Sequence, residues 1–199
     1  GPLVFEDAYA ELNHLMRDWR RDEVMQMDRG LDTGDILLQS ETEIDKDENA
    51  IDLMGRLAID GAKILANTLR DLDQIERIPQ DHEQATLAPI MAKEDGLIDW
   101  NKTAKEISNQ IRGFQPFPRS YTSYRDEKLT IWKASVFQTD VPKVKTGEIL
   151  QATSEELLVN CGEYSVLSLE ELQAPGKRRM NSRDFLNGVR MEVGEILGN

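Results

Sequence analysis

Apolar residues along the chain change their period near its middle, and the change divides the sequence into two kinds of structure. In the first half they recur at helical spacing. Tyr9, Leu12, Met16 and Trp19 predict a helix over residues 5–21. Ile51, Met54, Leu57, Ala58, Gly61, Ile64, Leu65 and Leu72 predict a longer one from Glu48 to Leu72, with Gly61 as a point of close packing. Between these helices, Val24–Met27 and Ile36–Leu38 read as short strands. Strand, loop, strand and long helix form the edge of an α/β layer. Residues 73–100 carry Pro79, Pro89 and many charges with little periodicity, and read as a linker between domains. Asn101-Lys102-Thr103 then opens a second helix, with Thr103 as its cap, running to about Arg112, and Gly113–Pro118 breaks it. From there the pattern alternates. Tyr121–Tyr124, Leu129–Phe137, Ile149–Ala152, Leu157–Cys161 and Val166–Leu172 predict short strands of a small barrel or sandwich.

The loop between the first two strands is eight residues long, Asp28 to Asp35, and holds three aspartates and two glycines. Gly30 and Gly34 are expected to supply backbone conformations closed to other residues, so that the loop turns sharply. Composition alone describes a solvated acidic hairpin loop.

Charge sharpens the division. The net charge is −13, but residues 1–100 hold ten basic against twenty-four acidic residues, a net of −14, and residues 101–199 hold fourteen against thirteen, a net of +1. An acidic first half repels a phosphate backbone, whereas the second half has room for a basic face. The single cysteine, Cys161, ends a predicted strand, rules out an internal disulfide framework and reads as buried and inert. No secretory pattern opens the chain and no apolar run has the length of a membrane span, so the cytoplasm is the expected compartment, with neither a membrane nor DNA as a partner and no metal site.

The string Met27-Asp28-Arg29-Gly30-Leu31-Asp32-Thr33-Gly34-Asp35 resembles the signature loop of the formyltetrahydrofolate-dependent transferases, in the form carried by those acting on methionyl-tRNA. Further stretches agree in order: Gln84–Asp95 with Ile98-Asp99-Trp100; Ile111–Thr122, close to the family's Ile-Arg-Gly-x-x-Pro-x-Pro-Gly-Ala-Tyr-Thr but with Arg119-Ser120 in place of Gly-Ala; and Gly176–Met180 with Asp184–Arg190. The resemblance runs from Val24 to Gly198 and leaves residues 1–23 unmatched. It implies an α/β plus β architecture. Residues 1–72 would be the remnant of a Rossmann-like formyltransferase domain, 73–100 a linker, and 101–199 a small OB-like β-barrel that holds tRNA.

The implied reaction moves a formyl group from 10-formyltetrahydrofolate to the amino group of methionyl initiator tRNA, at the start of translation. Formyl transfer to an amine needs donors for a tetrahedral oxyanion and a route for the departing proton. In the family an Asn-x-His pair supplies the donors and the second Asp of the loop works with that His, which assigns the catalytic role here to Asp32. The loop borders the folate, which assigns cofactor contacts to Asp28, Gly30, Leu31, Asp32 and Asp35. The Asn-x-His pair is missing from this sequence, and so are the family's Ser-Leu-Leu-Pro and Gly-Ala-Ala-Pro stretches. His14 falls in the first predicted helix and His82 in the charged linker, and neither has the setting to replace the pair. The chain therefore reads as the back portion of an enzyme, inactive by itself.

Arg112, Lys177, Arg178, Arg179 and Arg190 are the candidate tRNA contacts. Arg112 equally suits a helix end, where a cation offsets the dipole. Phe114 and Phe117, set between prolines, read as packing anchors rather than stacking platforms. Two other readings stay open at this point: a tRNA-binding module without catalysis, and a transferase of the same family acting on a sugar nucleotide.

Overall fold

A computed structural model describes residues 21–30, 32–85, 89–139, 143–153 and 155–198. The helix predicted over 5–21, with His14, lies outside the described residues except for Arg21, which belongs to a strand, and the cofactor candidate Leu31 lies outside them as well. The chain separates into two compact units that divide between Ile90 and Met91.

In the first unit, strands β1 (Arg21–Met25) and β2 (Ile36–Glu41) form an antiparallel hairpin in which Val24 faces Leu38. Helix α1 (Ala50–Arg70) packs on both strands. It starts at Asn49, whose side chain accepts the amides of Ile51 and Asp52 and so satisfies two donors the helix leaves unpaired. The predicted extent holds, but the packed face is offset from the predicted stripe. Leu53 and Thr68 are the buried side chains beyond Ala50, whereas Ile51, Met54, Leu65 and Leu72 are exposed. Apolar residues cover more of the helix than one hairpin can take. Gly61 is a close approach, as predicted, because a Cβ there would lie 3.3 Å from the Asp22 carboxylate.

The predicted linker is not structureless. Ile78 exchanges both main-chain hydrogen bonds with Ile36, at 2.8 and 2.9 Å, and so adds a segment to the edge of the hairpin. Further on, Ile98 and Trp100 are buried in the core of the second unit, at 4% and 5% exposure. The Ile98 amide donates to Tyr121, and the Trp100 indole donates to Thr122 at 3.0 Å.

The second unit carries helix α2 (Ala104–Gly113) and a mostly continuous antiparallel sheet. Thr103 caps α2 in a full capping box with Glu106. The strands are β3 (Ser120–Tyr124), β4 (Glu127–Phe137), β5 (Ile149–Ala152), β6 (Leu157–Cys161), β7 (Ser165–Gln173) and the short β8 (Met180–Asn181). Their order is β3-β4-β7-β6-β5, with β8 also on β7, and helix α3 (Ser182–Gly188) follows. The five predicted strands are all present, and β8, two residues long, is the addition.

Alternation buries Leu129 and Ile131 of β4 and Leu167 and Leu169 of β7, and a local irregularity in their pairing brings Leu172 into the same core with Ile107 and Ile111 of α2. No pairing among the described strands joins β3 to β5, so the sheet is not a closed barrel. The carboxyl-terminal tail touches both ends of it instead: Gly194 and Glu195 bond to Ile149, Leu197 to Gly147, and Gly198 to Ser123. Among the described residues no helix is long and apolar enough to cross a membrane.

Candidate functional site

Asp28 opens the acidic loop and turns its carboxylate back into it. One oxygen accepts the Gly30 amide at 2.9 Å and the Thr33 hydroxyl at 2.7 Å. The Thr33 bond, then the Gly30 amide, hold the Asp28 carboxyl below its ordinary range. Its role is to shape the loop.

The two glycines act differently from expectation. Neither sits in the left-handed region; that conformation belongs to Asp32, with φ 54°. What the glycines allow is close approach. A Cβ on Gly34 would lie 1.7 Å from the Gln26 carbonyl oxygen, and one on Gly30 would lie 2.0 Å from the Thr33 hydroxyl.

Asp32 is thus presented at the turn. Its main-chain carbonyl accepts the Gln80 side-chain amide at 3.0 Å, and the Gly34 carbonyl accepts the same amide at 2.6 Å. Its carboxylate is exposed and has no hydrogen-bond or ion-pair partner among the described residues. The Asp35 carbonyl accepts the Gln26 amide and continues the hairpin pairing. Of the loop's three carboxylates, then, Asp28 is spent on the fold, and Asp32 and Asp35 have no hydrogen-bond or ion-pair partner among the described residues, Asp32 being the more exposed. Sequence reasoning missed Gln80, since a glutamine after Pro79 carries no signal until the loop is seen beside it.

The basic candidates separate. Arg112 lies in the last turn of α2 and donates to Asn109 at 2.8 Å. The exposed Arg190 offers its main-chain carbonyl to Arg125 at 3.0 Å. Lys177, Arg178 and Arg179 lie on the β7–β8 turn, where Gly176 has φ 67°. Arg179 pairs with Glu171 and stands 5.1 Å from the centre of the Trp132 ring.

Arg119 approaches the same ring to 4.8 Å. Sequence reasoning did not select Arg119, although its place in a position the resembled pattern gives to glycine was a signal. It takes the left-handed conformation that glycine tolerates best, with φ 70°. Phe114 is buried at 3% exposure, as predicted, but Phe117 is 47% exposed and is no packing anchor, because the turn after α2 carries it outward. Cys161 is buried, and burial pushes its thiol up to about 12, which leaves it inert.

A third grouping ties the tail to β3. Tyr124 donates to Glu195 at 2.8 Å, and Arg125 pairs with the other oxygen of Glu195 at 2.8 Å. Burial, then the Glu195 bond, push the Tyr124 hydroxyl up to about 12.

Methionyl-tRNA formyltransferases from Alkaliphilus oremlandii, Acetivibrio thermocellus and Solibacter usitatus are 43%, 39% and 44% identical over 176 residues, which is 87% of this chain in each case. The chain spans only 55–56% of the length of these relatives. Among solved structures, an N-formyltransferase from Helicobacter canadensis, in complex with folinic acid and dTDP-3-aminofucose, matches with a TM-score of 0.60 at 16% identity, over 83% of this chain and 60% of that one. HypX from Aquifex aeolicus matches with a TM-score of 0.59 at 16% identity, over 92% of this chain and 34% of that one. At such identities these likenesses speak for the fold. Residues 90–190 match the formyl transferase C-terminal domain, and the chain therefore belongs to the formyl transferase family.

Proposed function

We propose that this chain is the carboxyl-terminal portion of a methionyl-tRNA formyltransferase. The reaction is transfer of a formyl group from 10-formyltetrahydrofolate to the amino group of methionyl initiator tRNA. The observation that carries this reading is identity near 40% with methionyl-tRNA formyltransferases over 176 residues, a stretch longer than either unit. A sugar-nucleotide acceptor has no comparable support. In this reading β1, β2 and α1 are part of a Rossmann-like domain, and the second unit is an OB-like tRNA-holding domain in which the tail stands between the ends of the sheet.

Formyltetrahydrofolate supplies an activated one-carbon unit when bound. The chain's own contribution centres on Asp32, whose carboxylate is free to orient a protonated histidine and to help take the proton leaving the amine. The turn held by Gln80 fixes where that carboxylate sits, and Gly30, Leu31 and Asp35 are the proposed edge of the folate site. Asp28 supports this site through the loop's shape, since its carboxylate is already engaged. Oxyanion donors of the Asn-x-His kind are not in this sequence and must come from outside it.

The test pairs this chain with the amino-terminal portion of a relative such as the Solibacter usitatus enzyme, joined in frame. Formylation of methionyl initiator tRNA by the joined protein, none by the chain alone, and a loss of orders of magnitude in kcat in Asp32→Asn with tRNA affinity kept are the expected results. Near-normal turnover by Asp32→Asn refutes the assignment of the loop. Turnover by the chain alone refutes the need for outside donors.

A further inference from the structure

The Trp132 ring gathers two cations that only one carboxylate balances. Trp132 sits where the pairing of β4 with β7 is locally irregular: Ile131 faces Leu172, Lys133 faces Glu171, and Ala134 faces Leu169 in the original register. Its indole donates to Gln173 at 2.8 Å, and Gln173 in turn donates to the Lys177 carbonyl at 2.8 Å. The ring and the β7–β8 turn are thus held as one piece.

Arg179 stands over the ring from that turn, and Arg119 from the loop after α2. Arg179 is paired with Glu171. Arg119 uses its Nε on the Pro116 carbonyl at 3.1 Å, and no carboxylate among the described residues pairs with it. A guanidinium stacked on a ring keeps the outer edge of its fork open, and that edge matches two phosphate oxygens. Two like charges around one ring repel unless an anion joins them. Two residues before Arg119, the exposed Phe117 adds a face on which an unpaired base can stack.

The geometry points to a single RNA contact built from Arg119, Trp132 and Arg179, with Phe117 beside it. It grips one backbone phosphate and stacks the neighbouring nucleotide. This inference rests on the tRNA reading above and adds the place where the second unit takes hold. RNA is favoured over an acidic protein because a forked cation and an open aromatic face together fit a nucleotide, whereas a carboxylate uses only the first.

The test measures binding of a labelled initiator tRNA transcript to the whole 199-residue chain across a salt series. Arg119→Gly is the main variant, since glycine suits the left-handed position and leaves the fold intact. It should weaken binding about tenfold, the worth of one charge-assisted contact, and lower the salt slope by about one. Glu171→Gln, which releases Arg179, should bind more tightly and with a steeper slope. Phe117→Ala should weaken binding with the slope unchanged.

Slopes unchanged in Arg119→Gly and Glu171→Gln, while replacing Lys177, Arg178 and Arg179 together by Ala flattens the slope, overturn this contact and leave the tRNA reading standing. Absence of saturable binding by the unmodified chain at low salt overturns both. Polyglutamate competing as well as tRNA at equal charge makes the patch a general anion surface and overturns the contact.

Discussion

The side-chain amide of Gln80 donates to the main-chain carbonyl of Asp32 at 3.0 Å, from a residue forty-eight positions further along the chain. The same amide reaches Gly34 at 2.6 Å, so one side chain closes both sides of the turn that carries the exposed carboxylate. Two loop carbonyls depend on it. Gln80→Ala should leave α1 and the hairpin folded, because Ile78 keeps its own pairing with Ile36. Amide hydrogen exchange over residues 28–35 should rise, with little change elsewhere. In the joined enzyme, kcat should fall while KM for tRNA stays near its original value, since a turn that wanders costs positioning rather than RNA binding. An equal fall in tRNA affinity would contradict this.

Asp28 gives the loop a dependence on acid. Its carboxyl lies below the ordinary value because the Thr33 hydroxyl and the Gly30 amide bond to its charged form. A depressed value means that the ionised form favours the closed loop. That support is present above the ordinary carboxylate pKa of about 3.9 and fades as pH falls through the lower folded value. A carboxyl-carbon NMR titration should find Asp28 titrating below this range, and Thr33→Ala should move it back upward. A midpoint unaltered by Thr33→Ala would show that the hydroxyl is not the cause.

Tyr124 and Glu195 give the second unit a dependence on alkali. The Tyr124 hydroxyl is pushed up to about 12, first by burial and then by its bond to Glu195. A raised folded pKa means that the neutral phenol favours the fold. This contribution is complete below the unfolded value near 10 and is lost as pH rises from there towards 12. Tyr124→Phe should cost about 1 kcal/mol at neutral pH, the usual net worth of a hydrogen bond. It should also flatten the fall in denaturant midpoint between pH 10 and 12. A fall as steep as in the unmodified protein would place the alkaline sensitivity elsewhere.

Periodicity was enough to find helix α1, helix α2 and the strands of the sheet, because each buries a face that repeats at the element's own spacing. Thr103 was readable as a cap for the same local reason, a side-chain oxygen three residues before Glu106. Asp32 was nameable only through the string around it. What escaped were relations between distant residues. Gln80 beside the loop, Arg119 beside Arg179 on Trp132, and the tail from Gly194 to Gly198 at both ends of the sheet are set by tertiary packing, which has no period. The offset face of α1 was hidden for another reason. Its apolar residues surround more than one side, and composition cannot say which of them the hairpin covers.

Where the second unit begins is the point at which sequence and structure part most clearly, and it can be tested with two truncations. The alternating pattern suggested a start at residue 101, but Ile98 and Trp100 are buried in the same core as Ile107 and Leu172. Trp100 also donates to Thr122, and both Gly147 and Gly198 approach its ring so closely that a Cβ would lie 3.3 and 3.0 Å away. Removing a buried Trp costs about 3–5 kcal/mol and Ile98 adds a further part, a large share of what holds a domain of this size. A piece covering residues 91–199 should unfold cooperatively on heating and resist protease. A piece covering 101–199 should melt far lower or fail to fold. Limited digestion of the whole chain should accordingly cut near Ile90, which is 98% exposed, and spare the bonds from Gly96 to Trp100. Equal stability of the two pieces would remove Ile98 and Trp100 from the core and restore the boundary at residue 101.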